Sequence, residues 1–421
     1  MKDVFKLLIN DFFEKELKVK KRDIKISLNS NKIVSIVGVR RSGKTYILFD
    51  LINSLREKID RKNIIYINFE DDRLFGLKGN DLGLLIDAYF EMYPKKRDEK
   101  IYLFLDEIQE IEGWEKFVRR IYDTLNIQIF LTGSSAKMLS KEIASSLRGR
   151  SITYEIFPLS FKEYLDFKEI EINLYSSKSL SFIKNYFEKY LKEGGFPEIV
   201  FEEDEDIKAK ILRDYVDLIV YRDIIERYNI KNLSLLKFII KYSFSNPATL
   251  LSFNKLYNEL KTLGYKLSKD TLFDYFEYLN DAYTLFLTPI FRSSVKEENR
   301  NPKKLFIVDN GFNYIFNTSF SPDYSKLYEN LVFLHLRRKY QEIYYFKEKQ
   351  EVDFFVPQDK LLINVSYKIN NEKTLKREIN ALKEAMEKLK IKESFLITNE
   401  IEKEIENIKI IPLWKFLLNK I

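Results

Sequence analysis

Short runs of uninterrupted apolar residues alternate with amphipathic stretches along the first 165 residues of the chain. Apolar runs separated by helical segments are typical of a parallel sheet that is covered by helices on both faces. Five runs are predicted as strands of one α/β domain: KIVSIVG, IIYINFE, IYLFLDE, IQIFLTG and SITYEIF.

The pattern changes after residue 165. Residues 166–233 are mainly amphipathic and predict a helical region. Residues 234–310 predict three helices followed by a strand, a polar loop and a strand, which is typical of a winged helix. Residues 311–421 predict a second, smaller α/β domain. The sequence therefore predicts four regions, the first of which is the α/β domain of residues 1–165.

Composition narrows the function classes. The chain has 421 residues, 45% of them hydrophobic and 32% charged, which is typical of a soluble protein with several domains. No apolar run is long enough to cross a bilayer, and the N-terminus does not resemble a secretory signal, so we expect a cytoplasmic protein without a membrane partner.

Residue usage excludes several chemistries. The chain has no cysteine, which excludes thiolate metal sites and cysteine nucleophiles, and its single histidine, His335, disfavours Ser-His catalysis. The net charge of +7 permits nucleic-acid binding without indicating it.

The segment GVRRSGKT, Gly38–Thr45, matches the phosphate-binding pattern G-x-x-x-x-G-K-[ST] between an apolar strand and a helix. Its glycines let backbone N–H groups surround phosphates at a helix N-terminus. Lys44 would reach the β- and γ-phosphates, and the Thr45 hydroxyl would bind Mg²⁺. The predicted nucleotide-binding residues are Gly38, Arg40, Arg41, Ser42, Gly43, Lys44, Thr45 and Tyr46.

Two acids end the predicted strand IYLFLDE. Asp106 is placed to hold Mg²⁺, and Glu107 is placed to polarise an attacking water. A structural acid pair that caps a helix is the alternative, which the complete phosphate loop disfavours. The Asp-Glu pair favours hydrolysis over binding alone.

Six segments occur in a fixed order: GVRRSGKT, INFEDDRL, LFLDEIQEIEGWE, FLTGSSAKMLSKEIASSLRGR, FPLSFKEYL and EGGFPEIV. Together they resemble the archaeal and bacterial AAA+-type ATPases of the additional-strand P-loop class. The resemblance covers nearly the whole chain and is most specific over residues 38–165. It implies an AAA+-type parallel sheet (1–165), a helical lid (166–233), a winged helix (234–310) and an α/β domain related to the PD-(D/E)xK nucleases (311–421). It also implies ATP and Mg²⁺ as cofactors, with hydrolysis at Lys44, Thr45, Asp106 and Glu107.

In that class the strand IQIFLTG lies between the first strand and the Asp106 strand, so its polar end would point at the γ-phosphate. Ser134 is the predicted sensor, with Thr132 and Ser135 as neighbours, although hydroxyl turns after strands are common. Arg148 and Arg150 precede the fifth strand. They either complete a neighbouring subunit's site in a homo-oligomer or form a solvated pair, and the sequence leaves both open.

The third helix of the predicted winged helix does not favour DNA. It carries four carboxylates, which would repel phosphates, beside Lys269: Asp270, Asp274, Glu277 and Asp281. Basic residues occur in the wing instead: Arg292, Lys296, Arg300, Lys303 and Lys304. DNA contact through the wing or the C-terminal domain, and packing against a protein, both stay open.

The resemblance to PD-(D/E)xK nucleases is incomplete. Glu329 takes the place of the helix acid and Asp353 that of the strand acid, but the E-x-K positions on the next strand are Asn364 and Ser366. Lys368 has suitable chemistry one pleat out of register. A cleaving site is therefore disfavoured, while weak metal binding or a packing role stays open.

The sequence thus predicts a Mg²⁺-dependent AAA+-type ATPase that couples ATP turnover to conformational change on DNA or a protein partner. One alternative is an ATP-regulated, metal-dependent DNA nuclease that uses Glu329, Asp353 and Lys368. Another is a scaffold whose assembly is switched by slowly hydrolysed nucleotide.

Overall fold

The computed structural model describes residues 1–133, 147, 149–317, 323–369 and 371–418. The chain forms two compact units, residues 1–156 and residues 157–421. The predicted division into four regions is not resolved by this partition and stays a prediction.

Five strands and the helices between them build the first unit. The strands are β1 (Ile33–Val37), β2 (Ile64–Asn68), β3 (Ile101–Asp106), β4 (Ile127–Gly133) and β5 (Ser151–Glu155). The described helices are α1 (Lys2–Glu14), α2 (Lys44–Arg56), α3 (Gly83–Met92) and α4 (Trp114–Thr124). Short 3-10 turns lie at Arg61–Asn63, Asp72–Leu74, Gly79–Leu82, Pro94–Asp98 and Ile108–Glu110.

The sheet of the first unit has the strand order β2-β3-β4-β1-β5, and all neighbouring strands run parallel. Strand β4 lies between β1 and β3, which confirms the predicted AAA+-type sheet. The parallel arrangement brings the carboxyl ends of β1, β3 and β4 to one edge, and the phosphate loop and the acid pair follow two of these ends.

Buried aromatic side chains hold the first unit together. Phe104 of β3 stacks on Phe130 of β4 with ring centroids 4.5 Å apart. Helix α1 buries Phe5, Ile9 and Phe12, whose spacing of four and three residues puts them on one face. Phe12 stacks on Tyr66 of β2 with centroids 4.5 Å apart, so α1 covers the strand that borders β3. Each such buried ring stabilises the fold by about 1.5–3 kcal/mol.

The second unit begins with helices, as the pattern of residues 166–233 predicts. They are α5 (Phe161–Phe167), α6 (Ser177–Glu193), α7 (Pro197–Phe201), α8 (Glu205–Leu218), a π-helical segment (Ile219–Ile225) and α9 (Glu226–Tyr228). Helix α5 starts at a capping box, in which the Ser160 hydroxyl accepts from the Glu163 N–H and the Glu163 carboxylate accepts from the Ser160 N–H.

A small antiparallel sheet of order β6-β8-β7 follows, packed with three helices. The elements are α10 (Leu233–Ser245), β6 (Thr249–Leu251), α11 (Phe253–Thr262), α12 (Lys269–Asp281), β7 (Leu285–Thr288), α13 (Val295–Arg300) and β8 (Lys303–Ile307). Three helices and two strands match the sequence prediction, while the short β6 and α13 are additional. The winged-helix assignment itself stays a prediction.

The last part of the unit is a six-stranded mixed sheet of order β13-β14-β12-β11-β10-β9. Its elements are α14 (Asn310–Phe316), α15 (Tyr324–Arg337), β9 (Tyr344–Lys347), β10 (Glu351–Val356), β11 (Leu361–Val365), α16 (Glu372–Leu389), β12 (Ser394–Thr398), β13 (Lys403–Ile405), β14 (Ile408–Pro412) and α17 (Leu413–Leu418). Four strands were predicted, and β13 and β14 were missed because β13 has only three residues, two of them charged.

Candidate functional site

The phosphate loop connects β1 to α2. Gly38 has φ 148°, and a Cβ atom there would lie 2.1 Å from the Ile156 carbonyl oxygen, so only glycine fits this close approach. Gly43 has φ 92° and is the N-cap of α2, which begins at Lys44. The loop therefore runs into a helix N-terminus, whose free N–H groups and dipole favour an anion.

The side chain of Lys44 lies inside the loop. Its ammonium donates to the carbonyl oxygens of Gly38 (3.1 Å) and Val39 (3.2 Å) and lies 4.0 Å from Glu107 Oε1. Lys44 is only 5% exposed, so its charge is concentrated at the loop. The Ser42 hydroxyl donates to the Val39 carbonyl oxygen (2.8 Å), and Arg22 donates to the Ser42 carbonyl oxygen (3.0 Å). These contacts hold the loop in place around the ammonium.

Asp106 is fully buried at the end of β3. One carboxylate oxygen accepts from the Tyr66 hydroxyl (2.8 Å), and the other accepts from the Thr132 hydroxyl. Burial raises the pKa of Asp106, while hydrogen bonds from Thr132, Tyr66 and Thr45 lower it. The hydroxyl groups thus fix the orientation of the carboxylate and oppose its protonation.

Glu107 follows in a left-handed backbone conformation, with φ 52°. Its N–H donates to the Thr132 hydroxyl oxygen (2.9 Å), and its carboxylate accepts a hydrogen bond from the Gln109 side-chain amide. Thr132 therefore bridges Asp106 and Glu107 at the end of β4. Since a left-handed backbone is unfavourable for a glutamate, its occurrence beside the phosphate loop marks a strained position of functional interest.

The remaining predicted residues of the first unit have separate placements. Ser134, Ser135 and Arg148 lie outside the described residues. Arg150 forms a two-pronged ion pair with Asp123 (2.9 and 3.1 Å), so a role in another subunit's site would require this pair to open.

Three further predicted nucleotide-binding residues, Arg40, Arg41 and Tyr46, lie in or next to the phosphate loop. Arg40 pairs with Glu70 (3.2 Å). Arg41 adopts a left-handed backbone with φ 66°. Tyr46 is 58% exposed on the first turn of α2.

A shallow groove lies between the first turns of α2 and the segment of residues 20–26. Its walls mix aliphatic side chains, an exposed aromatic ring and charged groups: Lys20, Arg22, Ile24, Ile26, Tyr46, Ile47, Asp50 and Leu51. Sequence reasoning identified Tyr46 but missed residues 20–26. The alternation of charged and apolar residues in DIKI, residues 23–26, was the available signal.

The second unit contains a cluster of three partly buried carboxylates around one buried ammonium. Lys304 Nζ of β8 lies 2.8 Å from Glu329 of α15, and 2.9 Å and 2.7 Å from Glu351 and Asp353 of β10. The Lys304 side chain is 3% exposed. The prediction that Lys304 is a basic residue of an exposed wing is therefore wrong, because its side chain turns into the protein and is neutralised there.

Electrostatics inside this cluster are strong. Burial alone would lower the pKa of Lys304, but Asp353, Glu329 and Glu351 raise it well above its ordinary value. Burial and the charge of Asp353 raise the pKa of Glu329, and Lys304 opposes this. The ammonium is therefore charged throughout the physiological pH range.

The structure places Glu329 and Asp353 together, as predicted, but Lys304 rather than Lys368 supplies the ammonium. The ammonium of Lys368 lies 5.4 Å from the ring centroid of Tyr367. Asn364 accepts from the Asp353 N–H (3.0 Å) and donates to Glu378 (2.6 Å), so the fold uses both ends of its amide. Its pairing explains why a neutral residue occupies this buried position.

Within the described residues, no group of three or more His, Cys, Asp or Glu side chains is arranged to hold a metal ion. None of the described helices is long and apolar enough to cross a membrane.

Three family models match the chain. A model described as an AAA domain matches residues 30–165. Two domains of unknown function match residues 184–319 (DUF8612) and 324–416 (DUF4143).

Two curated proteins are similar over nearly their full length. The uncharacterized protein MJ1544 of Methanocaldococcus jannaschii is 40% identical over 437 residues, covering 99% of this chain and 96% of that protein. An uncharacterized protein of Haemophilus influenzae is 33% identical over 394 residues, covering 92% and 94%.

Among solved structures, the Walker-type ATPase PABY2304 of Pyrococcus abyssi has a TM-score of 0.41 and 16% identity, covering 68% of this chain and 90% of that chain. The ORC1 protein of Aeropyrum pernix in complex with DNA has a TM-score of 0.34 and 12% identity, covering 68% and 86%.

Proposed function

We propose that this chain, which belongs to the same family as the uncharacterized protein MJ1544 of Methanocaldococcus jannaschii and carries an AAA domain, binds ATP with Mg²⁺ and hydrolyses it. One observation carries the proposal: Glu107 Oε1 lies 4.0 Å from Lys44 Nζ at the edge of the sheet where the phosphate loop begins. This geometry puts the proposed base beside the group that would hold the phosphates.

The residues at this edge fit a nucleotide with its metal ion. Backbone N–H groups at the start of α2 and the Lys44 ammonium suit phosphate oxygens, and only glycine fits at residue 38 of the cradle. The Thr45 hydroxyl and the Asp106 carboxylate are the hard oxygen ligands that Mg²⁺ prefers. Bound there, Mg²⁺ would neutralise charge on the phosphate oxygens.

Glu107 is the proposed general base, which would orient a water and accept its proton. Its carboxylate is engaged by Gln109, and its N–H is engaged by Thr132. The backbone is therefore fixed while the side chain would exchange one polar partner for the water.

The groove beside Tyr46 is the proposed place of the nucleoside. Arg22 of its wall donates to the Ser42 carbonyl oxygen of the phosphate loop, and Tyr46 offers an exposed aromatic ring for stacking. The segment of residues 20–26 would then form one wall of the nucleotide site.

The described contacts favour a protein partner over duplex DNA for the proposed winged helix of the second unit. Helix α12 exposes Asp270 and Asp274, which repel phosphates. Lys304 does not face solvent. Metal-dependent DNA cleavage is not supported, because the Lys304 ammonium occupies the centre of the nuclease-like carboxylate site.

Steady-state phosphate release by the purified full chain tests the proposal, with Mg²⁺ or EDTA and with duplex, single-stranded or branched DNA. We expect Mg²⁺-dependent hydrolysis that DNA does not stimulate. Lys44→Ala should abolish nucleotide binding, whereas Lys58→Ala, an exposed lysine just after α2, should not. Binding without turnover would instead support a nucleotide-switched scaffold, and strong stimulation by DNA would contradict the protein-partner assignment.

A further inference from the structure

The three-carboxylate cluster around Lys304 joins distant parts of the chain within the second unit. Lys304 comes from β8 of the small antiparallel sheet, Glu329 from α15, and Glu351 and Asp353 from β10 of the six-stranded sheet. The two residues of each contact are at least 25 positions apart in sequence, so the contacts form only when the three elements are assembled.

The Lys304 ammonium contacts all three carboxylates. It donates hydrogen bonds to Glu329 (2.8 Å) and Asp353 (2.7 Å), and it forms an ion pair with Glu351 at 2.9 Å. The ring of Tyr345 lies 5.9 Å from the same nitrogen. The second oxygen of Asp353 accepts from the Val365 N–H (2.8 Å), so that carboxylate is fixed from both sides.

Carboxylates that converge from several elements on one buried point are also the usual surroundings of a hard divalent cation. Here that point holds a side-chain nitrogen. Three acids and one base leave the centre with an excess of negative charge, and a second cation, Lys347, lies 3.5 Å from the other oxygen of Glu351 at the rim. The cluster thus has the charge of a cation site and already contains its cation.

We propose that the Lys304 ammonium is the resident cation of this cluster, where it takes the place of a divalent metal ion and ties β8 to α15 and β10 without any metal. The assembled second unit then neither needs nor admits a divalent ion at Asp353. This inference is independent of the proposed ATPase activity, which concerns the first unit.

Thermal unfolding of the full chain without nucleotide tests the inference, in EDTA and in Mn²⁺. The variants are Lys304→Met, the matched control Lys303→Met on the same strand, and a neutralised triple variant, Lys304→Met with Glu329→Gln and Asp353→Asn. Lys304→Met leaves three partly buried carboxylates without their counter-charge, so it should lower the unfolding temperature of the second unit by about 10 °C. Lys303→Met should leave it within about 2 °C.

The effect of Mn²⁺ on the unfolding temperature shows whether the Lys304 ammonium fills a cation site or only forms an ordinary ion pair. We expect Mn²⁺ to raise the unfolding temperature of Lys304→Met, because the vacated centre then offers three carboxylates, but not that of the wild type or the triple variant. The triple variant should regain most of the lost stability in EDTA.

Three outcomes would overturn the inference. They are wild-type Mn²⁺ binding that Asp353→Asn removes, a Lys304→Met protein that is insensitive to Mn²⁺, and a triple variant no more stable than Lys304→Met. If Lys304→Met does not fold in EDTA, the triple variant and the wild-type Mn²⁺ titration still test the inference. A triple variant that folds and does not respond to Mn²⁺ is expected only if the unpaired charges cause the loss of stability.

Discussion

The hydroxyl of Tyr66 donates a 2.8 Å hydrogen bond to the buried carboxylate of Asp106. The two residues lie on adjacent parallel strands, and the ring of Tyr66 is covered by Phe12 of α1. Helix α1 thus contacts Tyr66, and Tyr66 in turn contacts Asp106, the proposed metal ligand. Tyr66 is a positioning residue, because it acts on Asp106 and not on a phosphate.

Tyr66→Phe should move the acid limb of the ATPase pH profile to higher pH. The hydrogen bond from Tyr66 lowers the pKa of Asp106, so its loss raises that pKa further, and Asp106 must be ionised to hold Mg²⁺. One hydrogen bond to a charged group contributes about 1.5–3 kcal/mol, so the Mg²⁺ concentration for half-maximal activity should rise about tenfold or more. The control is Tyr102→Phe, whose hydroxyl bonds to Asn29 instead. Superimposable profiles of wild type and Tyr66→Phe would refute the positioning role.

Glu107→Gln should lower kcat by about 10²–10⁴-fold while ATP binding is kept, because an amide cannot accept the proton of the attacking water. Phosphate release measures kcat, and a fluorescent ATP analogue measures binding. Glu110→Gln, an exposed acid three residues further on, is the matched control and should retain wild-type turnover. Hydrolysis by Glu107→Gln at the wild-type rate would remove Glu107 as the base.

Gly194→Ala should destabilise the second unit much more than Gly264→Ala. Both glycines have positive φ (81° and 86°), which costs an alanine about 1–2 kcal/mol. A Cβ at Gly194 would also lie 1.6 Å from Asp309 Oδ1, whereas nothing lies within 4 Å of a Cβ at Gly264. Urea unfolding of the two variants measures the difference, and we expect at least about 2 kcal/mol. Equal losses would mean that Asp309 moves aside freely.

Asp309 should make the second unit less stable as the pH rises from about 4 to 7. Burial raises its pKa to about 7, although hydrogen bonds from the Gly195 and Gly311 N–H groups and the charge of Arg338 lower it. The ordinary pKa is 3.8, so between these values the folded state keeps a proton that the unfolded state has released. The stabilising contribution is therefore complete below about pH 4 and lost above about pH 7.

Urea unfolding across this range, for wild type and Asp309→Asn, checks the Asp309 prediction. The amide does not titrate, so the difference in stability between the two proteins should change with pH by a few kcal/mol. A difference that is constant with pH would show that Asp309 is already ionised in the folded protein.

Local patterns were sufficient to predict the first unit. The phosphate loop, the Asp106–Glu107 pair and the five apolar strands are each contiguous in sequence, while the place of β4 between β1 and β3 was implied by the resemblance to the additional-strand P-loop ATPases. Tyr66 and Thr132 were harder to assign, because a hydroxyl on a buried strand has no partner in the sequence itself. Only the register of β2, β3 and β4 brings both to Asp106.

The second unit shows why long-range contacts resist sequence analysis. KKLFIVD gives no sign that Lys304 points inward, since an isolated lysine on a strand is usually solvated. Its partners follow 25 to 49 residues later. The missing E-x-K pair on β11 is visible in the sequence, but the residue that fills the centre could be found only from the fold.

The left-handed backbone at Glu107 is unfavourable for the stability of the fold, whereas the carboxylate of Glu107 is needed for the proposed hydrolysis. Glycine or asparagine would adopt φ 52° more readily than glutamate does. Variants selected for heat resistance alone would therefore become enriched in glycine or asparagine at position 107. These variants would be more stable, but they would lack the carboxylate beside Lys44. Directed evolution of this chain needs a selection for turnover at every round.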